Sequence, residues 1–306
     1  MTHLHAIVGS QARPALPVVR KIRLTDLKDA LAKGLDDFWA FPTHVIFLSI
    51  GYPVFGLVLT ALAFGGDLFP LLFPLAAGFA LIGPVAATGL YEMSRRREMG
   101  LEVSWKDAFG ARQSPSVDGI LALGALLAVI FLLWMAAAQA IYIAYFGYGP
   151  PASVSDFVSQ VLTTPAGWKL IAVGNGVGFL FAAGVLMISV VSFPLLLDRD
   201  VGAAAAMLTS MRAVLRNPIP MAVWGLIVAG LLLIGSLPLF VGLAIVMPVL
   251  GHSTWHLYRK VVEPDPNPRQ DAPQPPPQRG RRYAAQFPAS LFAGDQAEPK
   301  APPGVE

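Results

Sequence analysis

The sequence predicts an all-α polytopic membrane protein with six transmembrane helices. Three observations carry that prediction: a composition too apolar for water, long runs without charge, and a one-sided placement of Lys and Arg. Of the 306 residues 55% are hydrophobic and 13% charged, with a mean hydropathy of +0.60, against about 45–50% and about 25% in a soluble domain. That much apolar side chain cannot be hidden from water in one core, so lipid must solvate much of the chain. The sequence holds no cysteine, which removes disulfides, thiolate metal sites, iron–sulfur clusters and cysteine nucleophiles.

A charge at mid-bilayer costs about 2.5 kcal/mol or more, so stretches free of Asp, Glu, Lys and Arg locate the spans. Five such runs cover 38–66, 68–91, 119–155, 170–197 and 217–258. A helical span needs only about 20 residues, and the last run is long enough for two. Its natural break is at Gly235-Ser236-Leu237-Pro238, where Gly permits a turn and Pro suits the first turn of a new helix. The expected helices are 44–64, 70–92, 119–146, 169–197, 219–234 and 238–258. With the N-terminus inside, 21 of the 22 Lys and Arg fall on the inner side and only Lys169 outside, which places both termini in the cytoplasm. No apolar leader region precedes the first span. Trp39, Tyr91, Trp105, Trp255 and Tyr258 sit at the inner headgroup level and Tyr142, Tyr145, Tyr148 and Trp168 at the outer. Trp134 and Trp224 fit neither belt and are expected to pack within the bundle or face acyl chains.

Before the first span, Leu24, Leu27, Leu31, Leu35 and Phe38 recur at helical spacing among charged residues, so a helix near 24–39 is expected to lie on the inner leaflet. A second interfacial helix is expected near 104–112, where Ser104 and Asp107 read as a capping box. A third is expected near 201–216, capped by Asp200 and stopped at Asn217-Pro218. The chain then reads as three parallel units, each an inner-face amphipathic helix followed by a transmembrane hairpin. Residues 1–22 are expected to form a disordered arm, 23–262 the membrane domain, and 263–306 a disordered cytoplasmic tail. That tail carries 11 of the 27 prolines and the cations Arg279, Arg281 and Arg282. In the bundle, Gly174 and Gly178 offer a small-residue face, and Asn175 and Gln139 lie at similar depth and are expected to face one another.

No ionisable side chain occupies the middle of a span, which weighs against proton pumps, ion-coupled carriers and cation channels. A polar rim remains on the inner side: His44, Glu92, Asp198, Arg199, Asp200, His252 and His256. His252 and His256 are four apart on one helix face, so with His44 or Glu92 they are candidate metal ligands. A haem held between mid-membrane histidines is excluded, because no histidine sits at that depth. Asp198 and Asp200 flank Arg199 and could bind a phosphate or divalent ion. A helix cap and an ion pair explain the same residues without a ligand. There is no phosphate-binding loop, G-x-S-x-G or H-E-x-x-H motif, so neither an enzyme nor a cofactor is expected.

The stretches Phe73–Leu81 (FPLAAGFAL), Ser192–Asp200 (SFPLLLDRD), Ala206–Val214 (AMLTSMRAV) and Gly251–Arg259 (GHSTWHLYR) resemble the bacterial integral membrane proteins grouped as domain of unknown function 2189. The resemblance runs from about Lys21 to Val262, implies a bacterial inner-membrane protein, and implies no activity. The expected role is a non-catalytic scaffold, assembly factor or accessory subunit, whose partners are the lipid bilayer and a membrane protein or further copy of the chain, with no nucleic acid. The alternatives are a metal- or haem-binding redox protein using His252, His256 and His44, and a facilitator of a neutral or lipid-like solute.

Overall fold

A computed structural model describes residues 16–41, 51, 54, 56, 57, 69–114, 116–149 and 151–265. Among them the chain is helical throughout, and the one extended feature is an isolated antiparallel pair, Val19 with Val262. The first expected span and His44 lie outside the described residues, save for four helical positions between 51 and 57, and so does the tail beyond Asp265.

Helix α1 spans Leu24–Ala40, close to the expected interval, and Asp26 closes its first turn by accepting the Arg23 N–H at 2.8 Å. Part of the face read as apolar is covered by protein, while Leu24, Leu35 and Trp39 stay exposed. The face carrying Leu27, Ala30, Gly34, Asp37 and Phe38 is buried in the protein, against the last helix. Amphipathic spacing says that a face must be covered, not whether lipid or protein covers it. Gly34 makes the close approach possible: a Cβ there would stand 2.0 Å from Ser253 Oγ and 2.6 Å from its backbone nitrogen.

The expected 70–92 helix is two helices, α2 (Leu72–Ala86) and α3 (Thr88–Glu98), preceded by a short 3₁₀ turn at Phe69–Leu71. Pro84 lies inside α2, and the two helices meet at Ala87, beside which the Thr88 hydroxyl donates back to the Val85 carbonyl at 2.7 Å. The 104–112 segment is a 3₁₀ helix, Trp105–Gln113, begun by the Asp107 carboxylate accepting from the Ser104 N–H (2.7 Å) and hydroxyl (2.9 Å).

Helix α4 (Val117–Phe146) ends at Gly147, whose φ of 82° lets the chain turn out of the helix. Helix α5 (Val154–Thr163) has no counterpart among the expected elements. Ser153 caps it through the Asp156 N–H at 3.1 Å, and Phe157 packs on Tyr142 and Phe146 at 6.1 and 5.8 Å between ring centres. Thr164 and Pro165 then start α6 (Pro165–Ser189), which continues through a break into α7 (Ser192–Asp198). At that break the Ser210 hydroxyl accepts the Val191 N–H at 3.2 Å.

Helix α8 (Ala203–Arg216) starts after Gly202, at φ 76°, with no side-chain cap. The expectation that Asp200 caps it is therefore corrected, since the chain turns at Gly202 and the helix opens too late for that side chain to reach its first N–H groups. Helices α9 (Pro218–Ser236) and α10 (Leu243–Val261) are separated by residues 237–242; the expectation that Pro238 opens the last helix is corrected, since Pro238 lies inside the connecting turn and the helix starts five residues later. The turn between them holds Leu239 and Phe240 at φ 51° and 63° and brings Gly242 so near Gly235 that a Cβ would meet its carbonyl oxygen at 2.8 Å.

Among the described residues, three helical stretches are long and apolar enough to cross a membrane: α4, the α6–α7 pair, and α9. Helix α10 packs on α1, α3 and α9, while α4 packs on α2 and α6. Trp134 and Trp224 are both buried in the bundle, and Trp134 Nε1 donates to the Pro74 carbonyl at 2.8 Å, tying α4 to α2. The expected Gln139–Asn175 contact is corrected. Both side chains are exposed, and Asn175 satisfies its amide within its own helix by donating to the Ile171 carbonyl at 2.8 Å. Gly174 borders open space, whereas Gly178 does receive a neighbour: its missing Cβ would lie 3.1 Å from the Trp134 ring.

Candidate functional site

The richest chemistry lies where α1, α3 and α10 meet. Helix α10 presents His252 and His256 one turn apart on the face that α1 covers, α1 contributes Asp37, and α3 contributes Ser94 and Arg97. Asp37 is the hub. Its Oδ2 lies 2.8 Å from His256 Nε2 and 2.5 Å from the Ser94 hydroxyl, and its Oδ1 accepts from Arg97 at 2.5 Å. Ser94 Oγ in turn lies 2.8 Å from His252 Nδ1.

Proton bookkeeping assigns the roles. At 2.5 Å from a carboxylate the Ser94 hydroxyl must donate to it, so its oxygen accepts and His252 Nδ1 carries the donated proton. His256 donates from Nε2. Burial works against the charge on Asp37, but hydrogen bonds from His256 and Ser94 and the nearby imidazoles outweigh it and hold the carboxyl below its ordinary range. This is not a nucleophile relay. In a serine hydrolase the imidazole sits between hydroxyl and carboxylate and takes the hydroxyl proton. Here the hydroxyl sits between imidazole and carboxylate and gives its proton to the carboxylate, in a site where Ser94 is 1% exposed and His252 fully buried.

Other members of the polar rim form separate networks. Glu92 accepts from Arg95 (2.8 and 3.0 Å) and Arg96 (3.1 Å), and Arg96 reaches Asp107 at 3.0 Å. Asp198 accepts from the Tyr258 hydroxyl at 2.5 Å and faces Arg259 at 3.4 Å and Arg199 at 3.6 Å. Glu98 takes the Trp255 indole N–H and the Arg259 guanidinium, both at 3.0 Å. Lys260 reaches back to α1, 2.6 Å from Asp29, and that contact holds the Asp29 carboxyl below its ordinary range.

The structure thus brings His252 and His256 together but turns them toward Ser94 and Asp37, and it keeps Glu92 and Asp198 in ion networks of their own. Among the described residues no three His, Asp or Glu side chains are grouped to hold a metal ion. Asp37, Ser94 and Arg97 were missed by sequence reasoning. One signal for Asp37 was available: it occupies the same helical stripe as Leu27, Ala30 and Gly34, a charge where the buried face should be.

Both ends of the described chain are also tied to this region. Arg20 N–H donates to the Val261 carbonyl at 2.7 Å and Glu263 N–H to Val18 at 3.0 Å. The Arg20 guanidinium reaches the Arg259 and Val262 carbonyls, and that of Arg199 reaches the Glu263 carbonyl. Residues 18–22, which the sequence assigns to the arm, therefore run beside the end of α10, with Val19 and Ile22 buried.

Residues 72–198, from α2 to α7, match the family described as predicted integral membrane protein (DUF2189). Asp37, His252 and His256 stand outside the matched stretch, and Ser94 and Arg97 inside it. No curated protein and no solved structure matches the chain.

Proposed function

With residues 72–198 assigned to a family of predicted integral membrane proteins, we propose that this protein is a non-catalytic scaffold or accessory subunit that presents both of its ends to a partner from one place on the membrane surface. The observation that supports this is the pairing of residues 18–20 with 261–263. It sets the two ends of the described residues side by side, and the junction of Asp37, Ser94, His252 and His256 ties the helices beneath them together. Buried, mutually hydrogen-bonded polar groups such as Asp37, Ser94 and His256 suit a fixed geometry, because each defines where the next must sit. The proposal includes six spans with both termini in the cytoplasm, in a bacterial inner membrane, which the one-sided Lys and Arg distribution supports.

The test is to extract the protein with its surrounding lipid and weigh the intact assembly. A discrete complex heavier than the 32.6 kDa chain, holding a second polypeptide or further copies in fixed ratio and lost when residues 266–306 are deleted, is expected. A population consisting only of single chains would overturn the reading.

A further inference from the structure

We propose that the corner between α8 and α9 is a seat for anionic phospholipid, formed by Lys21, Arg23, Arg212 and Arg216. It rests on α9 being a membrane span and is independent of the scaffold role.

Asn217 assembles the seat. This side chain, 3% exposed, accepts the Ile22 N–H at 2.9 Å and donates to the Arg20 carbonyl at 3.0 Å and the Ala213 carbonyl at 3.1 Å. One buried amide therefore pins residues 20–22 against the end of α8. Because Ile22 is buried there, its neighbours Lys21 and Arg23 are left on the outside, and both are exposed. Arg216 immediately precedes Asn217, and Arg212 lies one turn earlier on the same side of α8; both are also exposed. Cations nearly 200 residues apart in sequence are thus gathered at one corner.

Their electrostatic state differs from that of the cations around the α1–α3–α10 junction. Arg95, Arg96, Arg97, Arg199, Arg259 and Lys260 each face a carboxylate within 4 Å. None of Lys21, Arg23, Arg212 and Arg216 makes an ion pair among the described residues. Clustered cations without counter-charge raise the local potential and draw an anion.

The apolar surroundings identify that anion as a lipid. Leu24, Leu208, Leu215 and Ile219 are 52%, 48%, 66% and 69% exposed around the corner. They continue into α9, where only 17% of the most apolar stretch is buried and Leu226 and Leu233 face outward. Cations beside aliphatic side chains at the foot of a span match a phosphate headgroup with its acyl chains. The guanidinium forks of Arg23, Arg212 and Arg216 can each hold two phosphate oxygens.

The full chain would be placed in bilayers mixing phosphatidylcholine and phosphatidylglycerol, released gently, and the lipids it retains weighed by native mass spectrometry. The wild type is expected to retain phosphatidylglycerol several-fold above its share of the bilayer. The variant Lys21→Gln/Arg23→Gln/Arg212→Gln/Arg216→Gln is expected to fall to the bulk ratio. Lys106→Gln/Lys169→Gln, which removes exposed charge elsewhere, is expected to keep the enrichment. Asn217→Ala keeps all four charges but frees residues 20–22, and should lose part of it; should that variant not fold, Lys21→Gln/Arg23→Gln is read in its place. No enrichment in the wild type, equal loss in the Lys106/Lys169 control, or a second copy of the chain retained instead of lipid would each overturn the proposal.

Discussion

The junction of α1, α3 and α10 and the outward helices α4 and α9 solve the burial problem in opposite ways. At the junction, Asp37, Ser94, His252 and Trp255 are buried and answer one another or a neighbouring carboxylate. In α4 and α9 only 22% and 17% of the most apolar stretch is buried, and large side chains such as Leu132, Leu226 and Leu233 face outward. Helices in lipid gain little from hiding apolar surface, so their attachment rests on close packing and a few hydrogen bonds. The junction, in contrast, fixes its helices through groups that are costly to leave unpaired. Substitutions should therefore be felt very unequally at the two sites.

The largest effect is expected for Asp37→Ala, which strands Arg97, His256 and Ser94 at once; breaking a buried charge pair of this kind costs on the order of 3 kcal/mol. Thermal unfolding in mild detergent, followed by helical circular dichroism, measures it. A loss no larger than that of an outward substitution would remove the contrast. The same carboxyl gives a pH dependence. Its folded value is lowered, so its stabilisation is complete above the ordinary aspartate range and is lost as pH falls through the folded value. Asp37→Asn should flatten that acid limb.

Next in size is Gly34→Ala, whose methyl group would collide with the Ser253 backbone as well as its hydroxyl. A shift of α1 off α10 costing about 1–3 kcal/mol is expected, measurable in the same unfolding experiment. Trp134→Phe probes the apolar side, where one indole hydrogen bond joins α4 to α2. Its removal is expected to cost about 1 kcal/mol. The smallest effect belongs to Asn175→Leu and Gln139→Leu, exposed positions on α6 and α4, which should stay within about 0.5 kcal/mol. A large loss at either would mean that a neighbour covers them in the membrane, and the comparison would need redrawing.

These residues also show what could be read in advance. The ends of α1, the stop of α8 at Asn217 and the end of α9 near Gly235-Ser236 were legible because each follows from local chemistry: apolar spacing, an Asn-Pro boundary, a Gly-Ser pair before proline. His252 and His256 were legible as a pair because helical spacing alone puts them on one face. Their partners were not. Nothing local links Asp37 to Ser94, 57 residues on, or Asn217 to Ile22, 195 residues back. Asn175 failed as a bundle contact for the same reason in reverse, since a matching depth does not say which way a helix is turned.

By itself the sequence determined the solvent, the all-helical class and most helix boundaries, because those depend on composition and on neighbours within a turn or two. Only the tertiary structure decided that α1 covers α10, that the two histidines answer to Ser94 and Asp37, that Asp200 does not cap α8, and that residues 18–20 pair with 261–263. Each of those depends on which faces meet in three dimensions, and a helix of given sequence can offer the same face to lipid or to protein.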